Sequence, residues 1–210
     1  MDRIKYPRTP HFPWSPGATD DDKILQDLSV FDKQPVVITE KMDGENTTIY
    51  ADGYIHARSL DSVSHYTQSW VRQFAASLYP QMDAGMRICG ENVFAKHSIA
   101  YDNLESYFYG FSIWIDNECL DWDTTLTYFK VLGITPVPTI LSLDFFDAGV
   151  IKSIGISKDQ EGYVCRKRNS FIYEDFSTSV AKYVRANHVQ TSNHWKYDSN
   201  IETNKLCQNK

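Results

Sequence analysis

A lysine beside a tight turn is the residue best placed for covalent chemistry. It begins the segment Lys41-Met42-Asp43-Gly44-Glu45-Asn46, which follows the apolar run Val36-Val37-Ile38. A lysine amine attacks phosphorus once its ammonium has lost a proton, and burial or neighbouring cations lower the lysine pKa in that direction. Asp43 can orient the amine or a metal ion, and Gly44 permits a backbone conformation closed to other residues and lets a nucleotide approach closely. Because Lys-x-Asp-Gly arises by chance in about one chain of this length in twenty, its meaning depends on accompanying motifs.

Further motifs follow the lysine segment in order along the chain. They are Ala57-Arg58-Ser59, Gly90-Glu91-Asn92, Tyr107-Phe108-Tyr109-Gly110-Phe111, Glu161-Gly162-Tyr163-Val164 and Lys182-Tyr183-Val184-Arg185. The ordered series resembles the nucleotidyltransferase motifs of the ATP-dependent RNA ligases, within the superfamily that also contains DNA ligases and RNA-capping enzymes. The resemblance covers residues 36–189. Asn46 and the segment 90–99 are more similar to RNA ligases than to DNA ligases, and the Pro-rich opening 6–17 is similar to a bacterial and phage branch of the family.

The resemblance implies a reaction with three displacements at phosphorus. The Lys41 amine would attack the α-phosphorus of ATP, which gives lysyl-AMP and releases pyrophosphate. AMP would then pass to the 5′-phosphate of an RNA strand, and a 3′-hydroxyl would displace AMP to seal the strand. In-line displacement of this kind depends on positioning and on cations that neutralise developing charge, so Mg²⁺ or Mn²⁺ is expected.

The same resemblance assigns most of the motif residues to nucleotide binding. Glu40 would help to define the adenine pocket, and Phe111 would stack on adenine. Arg58 and Glu91 would contact the ribose or phosphate end, and Asn46 would position metal-bound water or the pyrophosphate leaving group. Phe111 also fits a purely structural role, because alternate strand residues normally pack inward.

The remaining motif residues carry the catalytic assignments. In addition to the role of Lys41, the resemblance implies that Glu161 is a metal ligand, since a carboxylate suits Mg²⁺ or Mn²⁺. The alternative role for Glu161 is a surface salt bridge. Lys182 would bind the α-phosphate and stabilise the transition state. Val184 stands where many relatives have a second lysine. Arg185 is the nearest cation and a candidate phosphate contact, although in an ideal strand it would face away from Lys182.

Periodicity and turn signals predict the elements that must position these motifs. A strand at residues 36–40 delivers Lys41, and strands at 46–51 and 54–58 flank a hairpin turn at Asp52-Gly53. An apolar stripe at 64–79 predicts a helix with one buried face. A helix at 124–132 is predicted to be capped by Asp123 and ended by Gly133, and Thr19 offers a cap to a short helix that follows it. Further strands are predicted at 86–92, 107–115, 137–140, 162–167 and 180–184, with a helix at 145–153.

These elements favour an α+β domain of mostly antiparallel sheets with flanking helices. By the resemblance it is a nucleotidyltransferase domain of the ATP-grasp-like ligase type, at residues 36–189. Residues 1–35, a Pro-rich arm and short helix, are predicted to belong to the same domain, because proline favours extended backbone. Residues 190–210 form a polar tail too short for the OB-fold domain of DNA ligases. No OB-fold domain is therefore expected, and a partner protein could supply that missing C-terminal domain.

Composition narrows the classes of protein that the chain can belong to. The 210 residues are 42% hydrophobic, enough for a real core, and their apolar runs fall short of the ~20 residues that span a bilayer. The four cysteines are scattered, which favours reduced thiols rather than disulfides or a zinc site. We therefore expect a cytoplasmic protein with no membrane association.

The net charge of −6 is unusual for a protein that holds nucleic acid through phosphate contacts. Local basic residues must compensate, and the best candidates for a basic track are Arg166-Lys167-Arg168 with Lys182 and Arg185. The alternative for the cluster 166–168 is a solvated strand end, because successive strand residues face opposite ways.

Different functions remain open on the sequence alone. The leading one is an ATP-dependent RNA ligase that seals 5′-phosphate and 3′-hydroxyl RNA ends. A capping-type guanylyltransferase or a DNA ligase core shares the lysine chemistry, and nucleotide preference discriminates between them. A catalytically silent nucleic-acid-binding module would have eroded catalytic positions, whereas Lys41, Glu91, Glu161 and Lys182 are intact.

Overall fold

The smaller of two β-sheets carries the lysine strand. The computed structural model describes residues 2–60, 65–188 and 201–208. The sheet contains β1 (Val36–Lys41), β8 (Thr139–Leu143), β9 (Gly162–Lys167) and β11 (Val180–Val184), all antiparallel, in the spatial order β11–β9–β1–β8. Strands β9 and β11 lie on one side of β1. The end of β1, the start of β9 and the end of β11 therefore lie side by side at one end of the sheet.

The larger sheet brings the other motifs to the same region. Its antiparallel strands have the order β10–β6–β5–β4–β2–β3, and a short strand, β7, runs parallel beside β5. The bounds are β2 (Glu45–Tyr50), β3 (Ile55–Ala57), β4 (Met86–Asn92), β5 (Phe108–Ile115), β6 (Glu118–Cys119), β7 (Thr135–Pro136) and β10 (Phe171–Ile172).

Helices cover the larger sheet through their apolar faces. Helix α1 (Ser69–Leu78) and helix α2 (Trp122–Leu132) share one buried cluster with strands β2, β4 and β5, and α3 (Ala148–Lys152) packs on the smaller sheet through Ile151. None of the helices within the described residues is long and apolar enough to cross a membrane. Short 3-10 helices occur at Leu28–Phe31, Tyr66–Gln68, Tyr79–Gln81 and Tyr173–Thr178.

The structure confirms the predicted α+β class and most of the predicted elements. The hairpin turn lies at Asp52-Gly53, where Gly53 has a φ of +81°, and Gly133 ends α2 with a φ of +68°. The predicted cap of α2 was wrong, because the Asp121 carboxylate accepts a hydrogen bond from Thr124 N at 2.9 Å. The predicted helix after Thr19 is absent, and the segment forms a turn instead.

The N-terminal arm adds a layer to the smaller sheet. Its backbone joins β11, with Phe12 N donating to Lys182 O at 2.8 Å and Lys182 N donating to Pro10 O at 2.9 Å. Phe12 is fully buried and stacks on Trp14 with ring centroids 4.5 Å apart. The arm therefore orders the strand that carries Lys182.

Part of the predicted tail also packs on the domain. Asn204 is buried, and its side chain donates to Val93 O at 2.8 Å and accepts from Tyr101 N at 2.9 Å. These bonds fasten residues 201–208 to the loop that follows β4. The rest of the predicted tail, residues 190–200 and 209–210, lies outside the described part of the chain.

Candidate active site

A cleft of about 660 Å³ lies where the two sheets approach each other. That volume is within the range of small-molecule sites. Its wall includes the arm residues Lys5, Tyr6, Pro7 and Thr9. Most of the predicted nucleotide-site residues also line it: Glu40, Lys41, Asn46, Arg58, Glu91, Phe111 and Lys182.

Lys41 and Glu161 form a direct ion pair at the edge of this cleft. Lys41 is the last residue of β1 and pairs in register with Gly162, the residue after Glu161. Lys41 Nζ lies 2.7 Å from Glu161 Oε2. Burial disfavours the ammonium, but the carboxylates of Glu161 and Glu91 outweigh it and raise the pKa of Lys41 above its usual value. The expectation that the surroundings lower this pKa was wrong.

Glu91 and Asn46 face each other across β4 and β2 beside the lysine. Burial raises the pKa of Glu91 to about 8, although the nearby Lys41 ammonium acts in the opposite direction. A carboxyl group that is protonated near neutral pH can donate a hydrogen bond and does not repel a phosphate. Asn46 Oδ1 is buried and has no hydrogen-bond partner among the described residues, so it can accept from an incoming group.

Asp43 organises the loop around the lysine. Its Oδ2 accepts hydrogen bonds from Ser98 N and Ile99 N, both at 2.8 Å, and Asp43 N donates to the Tyr101 hydroxyl at 2.9 Å. The next residue, Gly44, has no room for a side chain, because a Cβ there would lie 2.5 Å from Asn92 O. Its φ is outside the left-handed region, so the expected unusual backbone conformation was wrong.

His188 completes the group around the lysine, and the sequence interpretation had missed it. Its Nε2 lies 3.2 Å from Asp43 Oδ1 and 3.6 Å from Glu161 Oε1, and its ring is buried. One potential ligand atom from each of the three residues lies within 4.8 Å of the others. Two carboxylate charges at that separation repel by roughly 3–4 kcal/mol at an effective dielectric of about 20, so a donor or cation between them is stabilising.

Arg185 does not line the cleft, in contrast to its predicted phosphate contact. Its guanidinium donates to Gln160 O at 2.7 Å and to Lys158 O at 3.1 Å, and its backbone N donates to Glu161 O at 3.0 Å. Further bonds at 3.4 Å reach Ala186 O and Asn187 O. Arg185 therefore joins the loop before Glu161 to the turn before His188.

Phe111 enters the cleft from an irregular point of β5. The register with β4 shifts between Cys89 and Gly90, which leaves Phe111 as the extra residue of a β-bulge. Arg166 Nη1 donates to Phe111 O at 3.2 Å, and the ring of Tyr6 contacts that of Phe111 edge-on at a centroid distance of 5.2 Å. The bulge, the arginine and the arm together set the orientation of Phe111.

Arg166 and Arg168 do not form the basic track that was predicted around them. Arg166 is buried, and its guanidinium also donates to Leu120 O at 2.8 Å. Arg168 forms a surface ion pair with Asp123 at 2.9 Å. The solvated-strand alternative holds for Arg168, and Arg166 has a structural role that the sequence did not indicate.

Lys182 lies in β11, two strands from Lys41 in the same sheet, and faces the arm. Burial, and then the positive charge of Lys41, lower the pKa of Lys182. Asp22 Oδ1 lies 3.9 Å from Lys182 Nζ, and its Oδ2 lies 3.4 Å from Nε2 of the buried His11. Because Asp22 accepts hydrogen bonds from Thr19 N and Oγ1, its carboxylate is fixed near the lysine.

Comparison with known proteins identifies similar sequences and folds. A family model described as RNA ligase matches residues 34–184. No curated protein sequence matches the chain. Among solved structures, the chain is similar to one mutant of Naegleria gruberi RNA ligase with ATP and Mn, with a TM-score of 0.56 and 15% identity over 90% of this chain and 63% of that chain. It is also similar to a second mutant of that enzyme with ATP and Mn, with a TM-score of 0.55 and 17% identity over 76% of this chain and 52% of that chain. The same enzyme with PPi is also similar (0.54, 18%, 88% and 61%). At such identities the likeness establishes the fold, and this chain spans less than two thirds of those chains.

Proposed function

The chain belongs to the RNA ligase family, and we propose that within it the protein is an ATP-dependent RNA ligase that acts through lysyl-AMP. Its domain would be the nucleotidyltransferase domain of that family. The observation that carries the proposal is the position of Lys41. Its amine contacts Glu161 at 2.7 Å in a cleft that also contains Glu91, Arg58 and Lys182.

The first step is attack of the Lys41 amine on the α-phosphorus of ATP. A new N–P bond forms, the bond to the bridging oxygen breaks, and pyrophosphate leaves. Glu161 Oε2 is placed to take the ammonium proton, since it already accepts its hydrogen bond. Lys182, which also lines the cleft, would neutralise charge on the phosphoryl oxygens.

The nucleoside would occupy the end of the cleft that Phe111 and Glu40 line. Phe111 would stack on the base, and Glu40 would help to close its pocket. Arg58 and Glu91 would contact the ribose or the phosphates, and the raised pKa of Glu91 lessens the repulsion that a carboxylate would cause. Asn46 offers a buried carbonyl oxygen without a partner in the described structure, which suits a water or an ammonium-like donor better than a phosphate.

The residues beside Lys41 also fit a divalent cation. Asp43 and Glu161 present carboxylate oxygens of the kind that Mg²⁺ and Mn²⁺ prefer, and a His188 nitrogen lies within 4.8 Å of both. When bound, such an ion would supply positive charge to the phosphates of ATP. The Naegleria gruberi RNA ligase mutants solved with ATP and Mn support both cofactors for this chain.

The substrate part of the proposal is the joining of RNA strands with 5′-phosphate and 3′-hydroxyl ends. It rests on family membership and on the RNA-ligase-like Asn46 and segment 90–99. A cytoplasmic location is part of the same proposal.

Intact-protein mass spectrometry tests the proposal most directly. Wild type incubated with ATP and Mn²⁺ should gain one AMP, and Lys41→Ala should gain none. Lys130→Ala, a matched loss of an exposed lysine near the end of α2, should label as wild type does. An unlabelled wild type, or a labelled Lys41→Ala, would refute the ligase proposal, and labelling by GTP but not ATP would favour the capping alternative.

Strand sealing tests the substrate separately. Labelled protein should join matched RNA ends with release of AMP. Sealing of an all-DNA nick without activity at RNA 3′-hydroxyl ends would overturn the RNA assignment. Labelling without sealing of either strand type would show that joining needs a region or partner outside this chain.

A further inference from the structure

His188 lies beside two carboxylates, where a hydrogen-bond donor is stabilising. It lies between the carboxylates of Asp43 and Glu161, and each offers an oxygen toward the same imidazole nitrogen, at 3.2 and 3.6 Å. The side chain is 9% exposed, so water cannot easily replace it. Its Nδ1 has no hydrogen-bond partner among the described residues, which leaves Nε2 as its single polar link.

The two carboxylates have different anchors apart from this histidine. Asp43 Oδ2 is fixed by the backbone of residues 98–99, whereas Glu161 Oε2 is held by the side chain of Lys41. In the proposed reaction the Lys41 amine leaves Glu161 to bond with phosphorus. Glu161 would then lose its direct partner unless another donor keeps it near Asp43.

The turn that carries His188 is itself tied to Glu161. Asn187 has a φ of +55°, a left-handed conformation that asparagine tolerates, and it turns the chain back toward β9 after β11. Arg185 bonds the carbonyls of residues 158 and 160 on one side and those of residues 186 and 187 on the other. This clamp fixes the distance between the Glu161 backbone and the His188 ring.

We infer that His188, held by the Arg185 clamp, is a positioning residue that keeps Asp43 and Glu161 together as one cation site. The role of the cation rests on the proposed function, whereas the contacts among His188, Asp43 and Glu161 do not depend on it. His188 acts by donating from Nε2, so a side chain with an amide donor at similar reach should replace it. An apolar side chain should let the two carboxylates separate.

Titration with Mn²⁺ alone, followed by calorimetry in the absence of nucleotide, tests the inference. His188→Leu should weaken Mn²⁺ binding about 10- to 100-fold, as is usual for residues that orient metal ligands, and His188→Gln should stay within about threefold of wild type. His56→Leu is the control, because His56 is also a buried histidine but lies within hydrogen-bond distance of Tyr50 instead. It should bind Mn²⁺ as wild type does.

Several outcomes would overturn the inference. Equal Mn²⁺ affinity in wild type and His188→Leu would show that His188 does not organise the site. A His188→Gln variant as weak as His188→Leu would show that the imidazole is itself a ligand rather than a positioning group. If His188→Leu does not fold, Arg185→Met replaces it, and unchanged Mn²⁺ affinity in that variant refutes the clamp. Because these titrations need no ATP, they remain decisive even if wild type forms no AMP adduct.

Discussion

Replacing Arg166 by methionine separates a structural arginine from a nucleic-acid contact. Its guanidinium donates to Phe111 O at 3.2 Å and Leu120 O at 2.8 Å, and it packs against the rings of Trp122 and Phe171 at 5.5 Å. Methionine keeps much of the packing volume but leaves two buried carbonyl oxygens without this donor. A buried polar group without a partner costs about 1–3 kcal/mol, so the free energy of unfolding should fall by about 2–6 kcal/mol. The Tm should fall by roughly 2–4 °C for each kcal/mol in a chain of this size.

Urea unfolding followed by tryptophan fluorescence measures this loss, and Arg168→Met is the matched control. The Arg168→Met substitution removes the same charge from the same strand end, but the ion pair of Arg168 with Asp123 is exposed on both sides. The free energy of unfolding of this variant should therefore differ from that of wild type by about 0–1 kcal/mol. A basic track would instead give both variants weaker RNA binding and nearly unchanged stability. An Arg166→Met protein within about 1 kcal/mol of wild type would refute the buried-anchor reasoning.

Further predictions concern the arm and the ion pair. Tyr6→Ala should raise the KM for ATP roughly 2- to 12-fold, the worth of one edge-on aromatic contact with Phe111, while Tyr6→Phe stays near wild type in the labelling assay. Burial lowers the pKa of His11 from 6.5 to about 4, so the unfolded chain binds a proton that the folded chain does not. The free energy of unfolding should therefore fall as the pH drops from about 6.5 to about 4, and His11→Asn should flatten that slope in urea titrations across the range. Glu161→Gln should abolish AMP labelling while the Tm stays close to that of wild type, and a large loss of Tm would indicate a mainly structural salt bridge.

Much of the fold follows from local patterns in the sequence. The strand that delivers Lys41, the hairpin at Asp52-Gly53 and the stripe of α1 depend on neighbouring residues, so periodicity and turn chemistry are sufficient to predict them. The segment at Thr19 shows where local signals fail. Asp22 resembles an acidic residue in the first turn of a helix, but its carboxylate accepts a hydrogen bond from Thr19 N. It also lies beside Lys182, which is 160 residues away along the chain.

The candidate site divides in the same way. The ordered motifs predicted that Lys41, Glu91, Phe111 and Lys182 share one site, and all four residues line one cleft in the structure. His188 has no local signal, because its partner Asp43 lies 145 residues earlier in the chain. Arg166 was assigned to a basic track and Arg185 to the place of a second motif lysine, but hydrogen bonds to backbone carbonyls occupy both guanidinium groups. A sequence pattern shows which residue types are present but does not show which partners use their hydrogen bonds.

Glu161 has two opposing effects on the nucleophile in the proposed reaction. Its negative charge helps to raise the pKa of Lys41 and so keeps the amine protonated, yet the same oxygen is the nearest base for the proton that must leave. If deprotonation alone limited labelling, Glu161→Gln would react faster, because an opposite charge this close shifts a pKa by about 1–3 units. The predicted loss of labelling instead requires that Glu161 serve as proton acceptor or as part of the cation site. The geometry favours this result, since one Glu161 oxygen faces Lys41 and the other faces His188.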